Sequence, residues 1–223
     1  MKTSGARKLY TIPLPSLLVY KIRDASTKSV LDVGCGYGRA CYYLYQNSFN
    51  VVGVDVDRVQ IGLAQQESKS RGIAGEMGFL ANDARNLSFP DSCFDAATML
   101  GILTLVPKSE RLRIVIEVSR VVKKDGYILV EEFGRTWENP VYAKRYRQDF
   151  KVTGELGTIT VKNETGKILH FGHHFTLKEL LDLFKDFRVI DFRKGTFTSY
   201  YHKNWVKGYT ILTQKQKGQN PVR

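Results

Sequence analysis

Long hydrophobic runs are missing from this chain. No apolar stretch approaches the ~20 residues that a helix needs to cross a bilayer, so no membrane partner is expected. The opening, Met1 to Lys8, is basic, but no long apolar segment follows it and Pro13 and Pro15 break what does. A secretory leader is therefore not expected. Cysteine is scarce: Cys35, Cys41 and Cys93 show no C-x-x-C spacing, and three thiols cannot all pair. That excludes a disulfide scaffold and fits a reducing, cytoplasmic setting. The four histidines, His170, His173, His174 and His202, all lie in the last quarter. The adjacent pair lacks a third ligand at a usable spacing, so no metal is expected. No internal repeat is present.

What is there suffices for one α/β domain with an insertion: 223 residues, 43% of them hydrophobic. Its net charge of +12 is uneven. Through Val106 there are 11 Lys/Arg against 9 Asp/Glu, and from Pro107 onward 23 against 13, balances of +2 and +10. Either a solvated basic surface or a polyanionic partner such as RNA would account for that asymmetry.

The chain is organised around Val30 to Gly38, Val-Leu-Asp-Val-Gly-Cys-Gly-Tyr-Gly. Its first residues suit a buried parallel strand, and Arg39 to Gln46 suits a helix. Gly34, Gly36 and Gly38 between them permit positive φ and bring a ligand against bare backbone at a helix N-terminus. In the G-x-G-x-x-G register the third glycine is replaced by Arg39, so the dinucleotide fingerprint is absent. No Gly-Lys-Ser/Thr follows, so neither is a triphosphate loop. What stands is D-x-G-x-G-x-G, with Asp32 ahead of the glycines. An acid there suits a cationic ligand group better than a pyrophosphate.

In this motif the chain resembles the class I S-adenosylmethionine-dependent methyltransferases of the type 11-like group. The resemblance runs from about Val30 to Phe133. It implies a Rossmann-like, doubly wound seven-stranded α/β sheet, mostly parallel with one antiparallel edge strand. Residues 1–223 would form one methyltransferase domain, with 134–174 as a substrate-side insertion. It also implies S-adenosylmethionine as cofactor, its amino-acid end and ribose passing Asp32, Gly34, Cys35, Gly36 and Gly38.

The later strands carry matching acids. Val51 to Asp55 is a strand whose terminal Asp55, 23 positions after Asp32, is placed to accept the ribose hydroxyls, with Val56 beside it. Asp57 better suits the N-cap of the helix Arg58 to Arg71. Gly78 to Ala81 leads to Asp83-Ala84, where the resemblance implies a carboxylate and a backbone N–H facing adenine; a plain Asn-Asp turn is the other reading. Phe94 to Leu100 forms the fourth strand, and Leu100 and Gly101 should contribute backbone contacts only. Relatives that methylate nitrogen often hold the amine with Asn or Asp and Pro-Pro at this place; here it reads Met99-Leu100-Gly101-Ile102.

Ser109 reads as the cap of a helix carrying Leu112, Val115, Ile116, Ser119 and Val122 and ending at Gly126, with Tyr127 to Phe133 as the fifth strand. Leu14 to Asp24 reads as a leading helix, with Tyr10 and Tyr20 able to cover a ligand. A hairpin is expected over 157–162 and 167–171, turning at Asn163 to Gly166. Thr176 to Glu179 is a capping box for a helix through Lys185, and Phe187 to Phe192 and Gly208 to Thr213 read as the last strands; beyond, residues 214–223 read as a polar tail. His173, His174 and Tyr142 are the candidates for a catalytic role, a base being required only if the acceptor must lose a proton. The acceptor is expected to be a small molecule lined by Trp137 to Lys151. An RNA acceptor is the alternative, since His173 to Leu180 with Lys203-Asn204-Trp205 resembles the tRNA wobble-uridine methyltransferases. A cofactor-binding regulatory subunit is the non-catalytic alternative. Oligomeric state has no signature in the sequence.

Overall fold

The computed structural model describes residues 12–23, 29–199 and 204–216. Tyr10, His202 and Lys203 lie outside them, as do residues 217–223. In chain order the elements are α1 (Ser16–Ile22), β1 (Ser29–Val33), α2 (Arg39–Gln46), β2 (Asn50–Asp55), α3 (Arg58–Ser70), β3 (Gly78–Ala81), β4 (Phe94–Leu100), α4 (Ile102–Leu105), α5 (Lys108–Val121) and β5 (Val122–Gly134). They are followed by α6 (Pro140–Thr153), β6 (Thr158–Lys162), β7 (Ile168–His173), α7 (Leu177–Leu183), β8 (Phe187–Ser199) and β9 (Asn204–Lys215).

Seven strands form one sheet in the order β3-β2-β1-β4-β5-β9-β8. The pairings from β3 to β5 are parallel; β9 runs antiparallel to both neighbours and lies one place in from the edge. Alternation along β1 explains why helices cover both faces. Val30 turns toward α1, α2 and α3, joining Leu18, Leu44, Val51 and Leu129, whereas Leu31 and Val33 turn toward α5 and α7, joining Ile114, Val118, Leu180 and Phe184. A third cluster, Ile12, Phe133, Tyr142, Tyr146, Ile159, Phe197 and Val206, gathers where β5 ends and α6 begins. The sheet thus delivers the ends of β1, β2, β4 and β5 to one edge, the place where open α/β sheets bind ligands.

Three parts of the sequence reading are corrected or sharpened by the structure. The helix before β5 has Pro107, not Ser109, at its N-cap; proline has no side-chain acceptor to cap with, and Glu110 N–H bonds the Pro107 carbonyl at 3.0 Å. It ends at Val121: Val122 pairs with Phe94 and Tyr127 with Ala96, and the residues between bulge out. Its buried stripe is Ile114, Val115 and Val118, while Leu112 is 50% exposed. Second, the stretch read only as acceptor lining, Trp137 to Lys151, holds most of the helix α6, started by the Asn139 side chain accepting from Val141 N–H with Pro140 behind it, and stopped by Gly154 at φ 64°. Third, Tyr20, read as able to cover a ligand, is 76% exposed. β8 and β9 are also longer than expected, because they pair with each other beyond the end of β5. The hairpin β6–β7 and the capping box of Thr176 and Glu179 form where expected.

Candidate functional site

The glycine turn is fastened to its neighbour strand. Gly34 and Cys35 N–H both donate to the Val54 carbonyl, at 2.8 and 3.0 Å, so the turn closes over the end of β2. At Gly38, φ is 88° and a Cβ would lie 2.9 Å from the Phe79 ring, so only glycine fits. Asp55 completes the lock: its Oδ2 accepts from Gly36 N–H and its Oδ1 from Asp57 N–H, each at 2.9 Å. Its carboxylate is therefore held in place before any ligand arrives. Asp57 itself caps α3, accepting from Val59 and Gln60 N–H.

Beneath the turn, Asp32 is 2% exposed and takes the Thr98 hydroxyl at 2.6 Å and the Cys41 thiol at 3.2 Å. Burial raises its pKa, while those two donors and Arg39 oppose the rise. Cys41 and Cys35 fit because Gly53 leaves room; a Cβ there would lie 2.7 and 2.9 Å from their sulfurs.

Two cavities open at this edge and share Gly34, Asp55, Leu100, Gly101 and Leu105. One, of about 300 Å³, extends past Val56, Asn82, Asp83, Ala84, Arg85 and Ile102. The other, of about 390 Å³, extends over Asp32, Cys35, Gly36 and Arg39 toward Ile12, Thr104 and Phe133. The bilobed cleft thus straddles Asp55. In the first lobe, Arg85 grips Asp83 with Nη2 at 2.6 Å from Oδ2, and this hydrogen bond lowers the Asp83 pKa. The pair is exposed, so a ligand can reach it.

A sequence pattern described as a methyltransferase domain matches residues 30–126. The solved structure of an S-adenosylmethionine-dependent methyltransferase from Methanosarcina mazei is similar over 89% of this chain and 97% of that one, with 34% identity and a TM-score of 0.82. This chain belongs to the S-adenosylmethionine-dependent methyltransferases. It is also 31% identical over 139 residues to a ubiquinone/menaquinone biosynthesis C-methyltransferase of Cellvibrio japonicus, covering 60% of this chain and 54% of the relative. Over 107 residues it is 33% identical to a phosphatidylethanolamine N-methyltransferase of Cereibacter sphaeroides, covering 48% and 51%. The chain thus spans about half the length of these curated relatives.

In this methyltransferase the nominated site residues fall into three groups. Asp32, Gly34, Cys35, Gly36, Asp55, Val56, Asp83, Ala84, Leu100 and Gly101 all line the cleft. Gly38 sits behind the turn against Phe79. Tyr142, His173 and His174 line neither lobe and are buried behind Phe133 and Thr104. The Tyr146 hydroxyl accepts Thr136 N–H at 3.1 Å and lies 2.7 Å from His174 Nδ1. Donating its proton there satisfies every partner and leaves His174 neutral with hydrogen on Nε2. Burial, with Arg135 and Arg145 nearby, lowers the His174 pKa to about 3. His173 Nδ1 meets the Thr158 hydroxyl at 2.8 Å, between Glu155 and Glu179.

Sequence reasoning passed over Arg39, Thr104, Phe133 and the two acids of β5. Arg39 Nη2 holds the Ile12 carbonyl at 2.5 Å, drawing residue 12 over the second lobe. Glu132, fully buried, accepts Leu103 N–H at 2.8 Å on Oε1 and Thr104 N–H at 3.1 Å on Oε2. It thereby fixes α4, which contributes Ile102 to one lobe and Thr104 to the other. Thr104 Oγ1 lies 2.7 Å from Glu132 Oε2 and 3.0 Å from the His173 carbonyl oxygen. A hydroxyl has one proton, so both contacts are satisfied only when Glu132 carries the other. Burial agrees, raising the Glu132 pKa to about 8 against its hydrogen-bond donors and Arg111. Glu131 is likewise raised to about 8, with Thr210 on Oε1. The position of Phe133 at a strand's carboxyl end was a usable signal; nothing local pointed to Glu132, whose partners lie 28 and 29 residues away.

Proposed function

We propose that this chain transfers the methyl group of S-adenosylmethionine to a small, largely apolar acceptor. The observation that carries the reading is the Asp55 carboxylate, pinned by Gly36 and Asp57 N–H where the two lobes meet. A nucleoside fits that arrangement: ribose hydroxyls on Asp55, adenine against Val56, Asp83 and Ala84, and the amino-acid end over Gly34 and Gly36. Asp32, buried below, supplies negative charge for the cationic end. Size agrees as well, since each lobe lies within the range of small-molecule sites.

When bound, S-adenosylmethionine supplies an activated methyl and a thioether leaving group. The protein's part is to place an acceptor in line with that methyl and to exclude water. Ile12, Leu100, Leu105 and Phe133 give the second lobe an apolar wall for this purpose. None of the four offers a side-chain carbonyl to an exocyclic amine. His174, neutral and engaged through Nδ1, is unsuited to take a proton, which favours catalysis by positioning. The relatives' names specify carbon in one case and nitrogen in the other, so the acceptor atom is assigned by experiment. Incubation with labelled S-adenosylmethionine and separated cellular fractions tests the reading. Label in small apolar metabolites supports it, whereas label confined to RNA would replace it with the polyanionic acceptor that the +10 half favours.

A further inference from the structure

We propose that α6 and the β6–β7 hairpin dock this protein on an anionic lipid surface. This segment carries large apolar side chains that the fold leaves in solvent. Phe150 and Val152, in the last turn of α6, are 47% and 63% exposed, and Leu169 and Phe171 on β7 are 59% and 46% exposed. Leu169 and Phe171 are two residues apart on a strand, so they share one face of the hairpin. The two parts are adjacent: Asp149 of α6 accepts Thr160 N–H at 2.8 Å, and Thr160 pairs with Phe171.

Exposed cations share the segment with these side chains. Lys144, Arg147 and Lys151 lie exposed on α6, and Lys162 and Lys167 flank the hairpin turn. Two of the segment's acids are already engaged, Asp149 with Thr160 and Arg145, and Glu155 with Arg111; Glu164 stands at the turn. A segment that exposes both apolar side chains and lysine and arginine matches an anionic headgroup layer, which takes both the charge and the apolar tips. A polyphosphate backbone would use the cations and leave Leu169 and Phe171 in water. Docking of this kind needs no spanning helix, and among the described residues no helix is long and apolar enough to cross a membrane.

The face adjoins the cleft. Thr104, in the wall of the second lobe, bonds the carbonyl of His173 at the end of β7. A docked hairpin would bring that lobe to the lipid boundary, where apolar acceptors concentrate; this last consequence rests on the methyl-transfer reading, whereas docking itself does not.

Cosedimentation with vesicles of mixed phosphatidylglycerol and phosphatidylcholine, against pure phosphatidylcholine, tests the proposal. The full chain should partition at least about tenfold more strongly to the anionic vesicles. The double variant Leu169→Ser, Phe171→Ser should lose about tenfold of that binding, and Lys162→Glu, Lys167→Glu should lose binding and its salt dependence. S-adenosylhomocysteine affinity, measured on each variant, reports folding and the cofactor cleft separately from docking. Equal partition to both vesicle types, or undiminished binding by the Leu169/Phe171 variant, would overturn the proposal. So would transfer RNA bound with a steep salt dependence by a protein that ignores vesicles.

Discussion

Glu132→Gln puts the hydrogen-bond count around α4 to a quantitative test. In either amide orientation the –NH2 faces a backbone N–H: Leu103's if it replaces Oε1, Thr104's if it replaces Oε2. One buried N–H is left unpaired, at a cost of about 1–3 kcal/mol. In the wild type the carboxyl pKa rises from the ordinary 4.5 to about 8 on folding. The folded chain therefore keeps a proton over a range in which the unfolded chain has lost it. Wild-type stability from this group is fullest below the ordinary carboxylate pKa and falls as pH climbs toward 8, at about 1.4 kcal/mol per pH unit. Glutamine has no such dependence, and Glu131, raised alike chiefly by burial, is present in both proteins and cancels except for the smaller share that the Glu132 charge adds to its shift. Urea unfolding at several pH values should then show the wild-type advantage shrinking by roughly 3 kcal/mol between about pH 5.5 and 7.5. That is enough to reverse its sign. Two stability curves that stay parallel across the range would refute the assignment of a proton to Glu132.

Three further substitutions probe the rest of the site. Asp55→Ala removes a charged acceptor of hydrogen bonds and should weaken S-adenosylhomocysteine about 10- to 100-fold in calorimetry, with the fold intact by circular dichroism; unchanged affinity would move the ribose contact elsewhere. Gly38→Ala forces a side chain into a positive φ against the Phe79 ring and should lower stability by roughly 1–3 kcal/mol in denaturant titration; a neutral result would contradict the packing of the turn. Tyr146→Phe unpairs Thr136 N–H and His174 Nδ1, costing about 1–3 kcal/mol for each group left unpaired, while cofactor affinity should hold.

Much of the parallel half of this fold is written in local patterns. β-Branched runs ending in Asp or Gly mark β1 and β2, and Asp57 and Thr176 announce their helices by side-chain caps that the structure contains. The start of α5 is not legible locally, because Pro107 caps it through the backbone alone and Ser109 is the more visible signal. α6 is bracketed by Asn139-Pro140 and Gly154, yet its aromatic and basic composition reads as acceptor lining rather than as a helix. Within β5 the apolar run conceals Glu131 and Glu132, whose burial depends on Thr210 and α4. The nominated cleft residues come from strand ends and were legible for that reason. The residues that shape the second lobe, Ile12, Arg39 and Thr104, belong to it through contacts distant in sequence.

Isothermal titration of the full chain with S-adenosylhomocysteine, alongside NAD and ATP, tests the central claim most directly. A cleft that joins a nucleoside lobe to an amino-acid lobe through Asp55 predicts one S-adenosylhomocysteine bound per chain, sensitive to Asp55→Ala, and no comparable binding of the other two nucleotides. Binding of NAD or ATP with no response to S-adenosylhomocysteine or S-adenosylmethionine would contradict it.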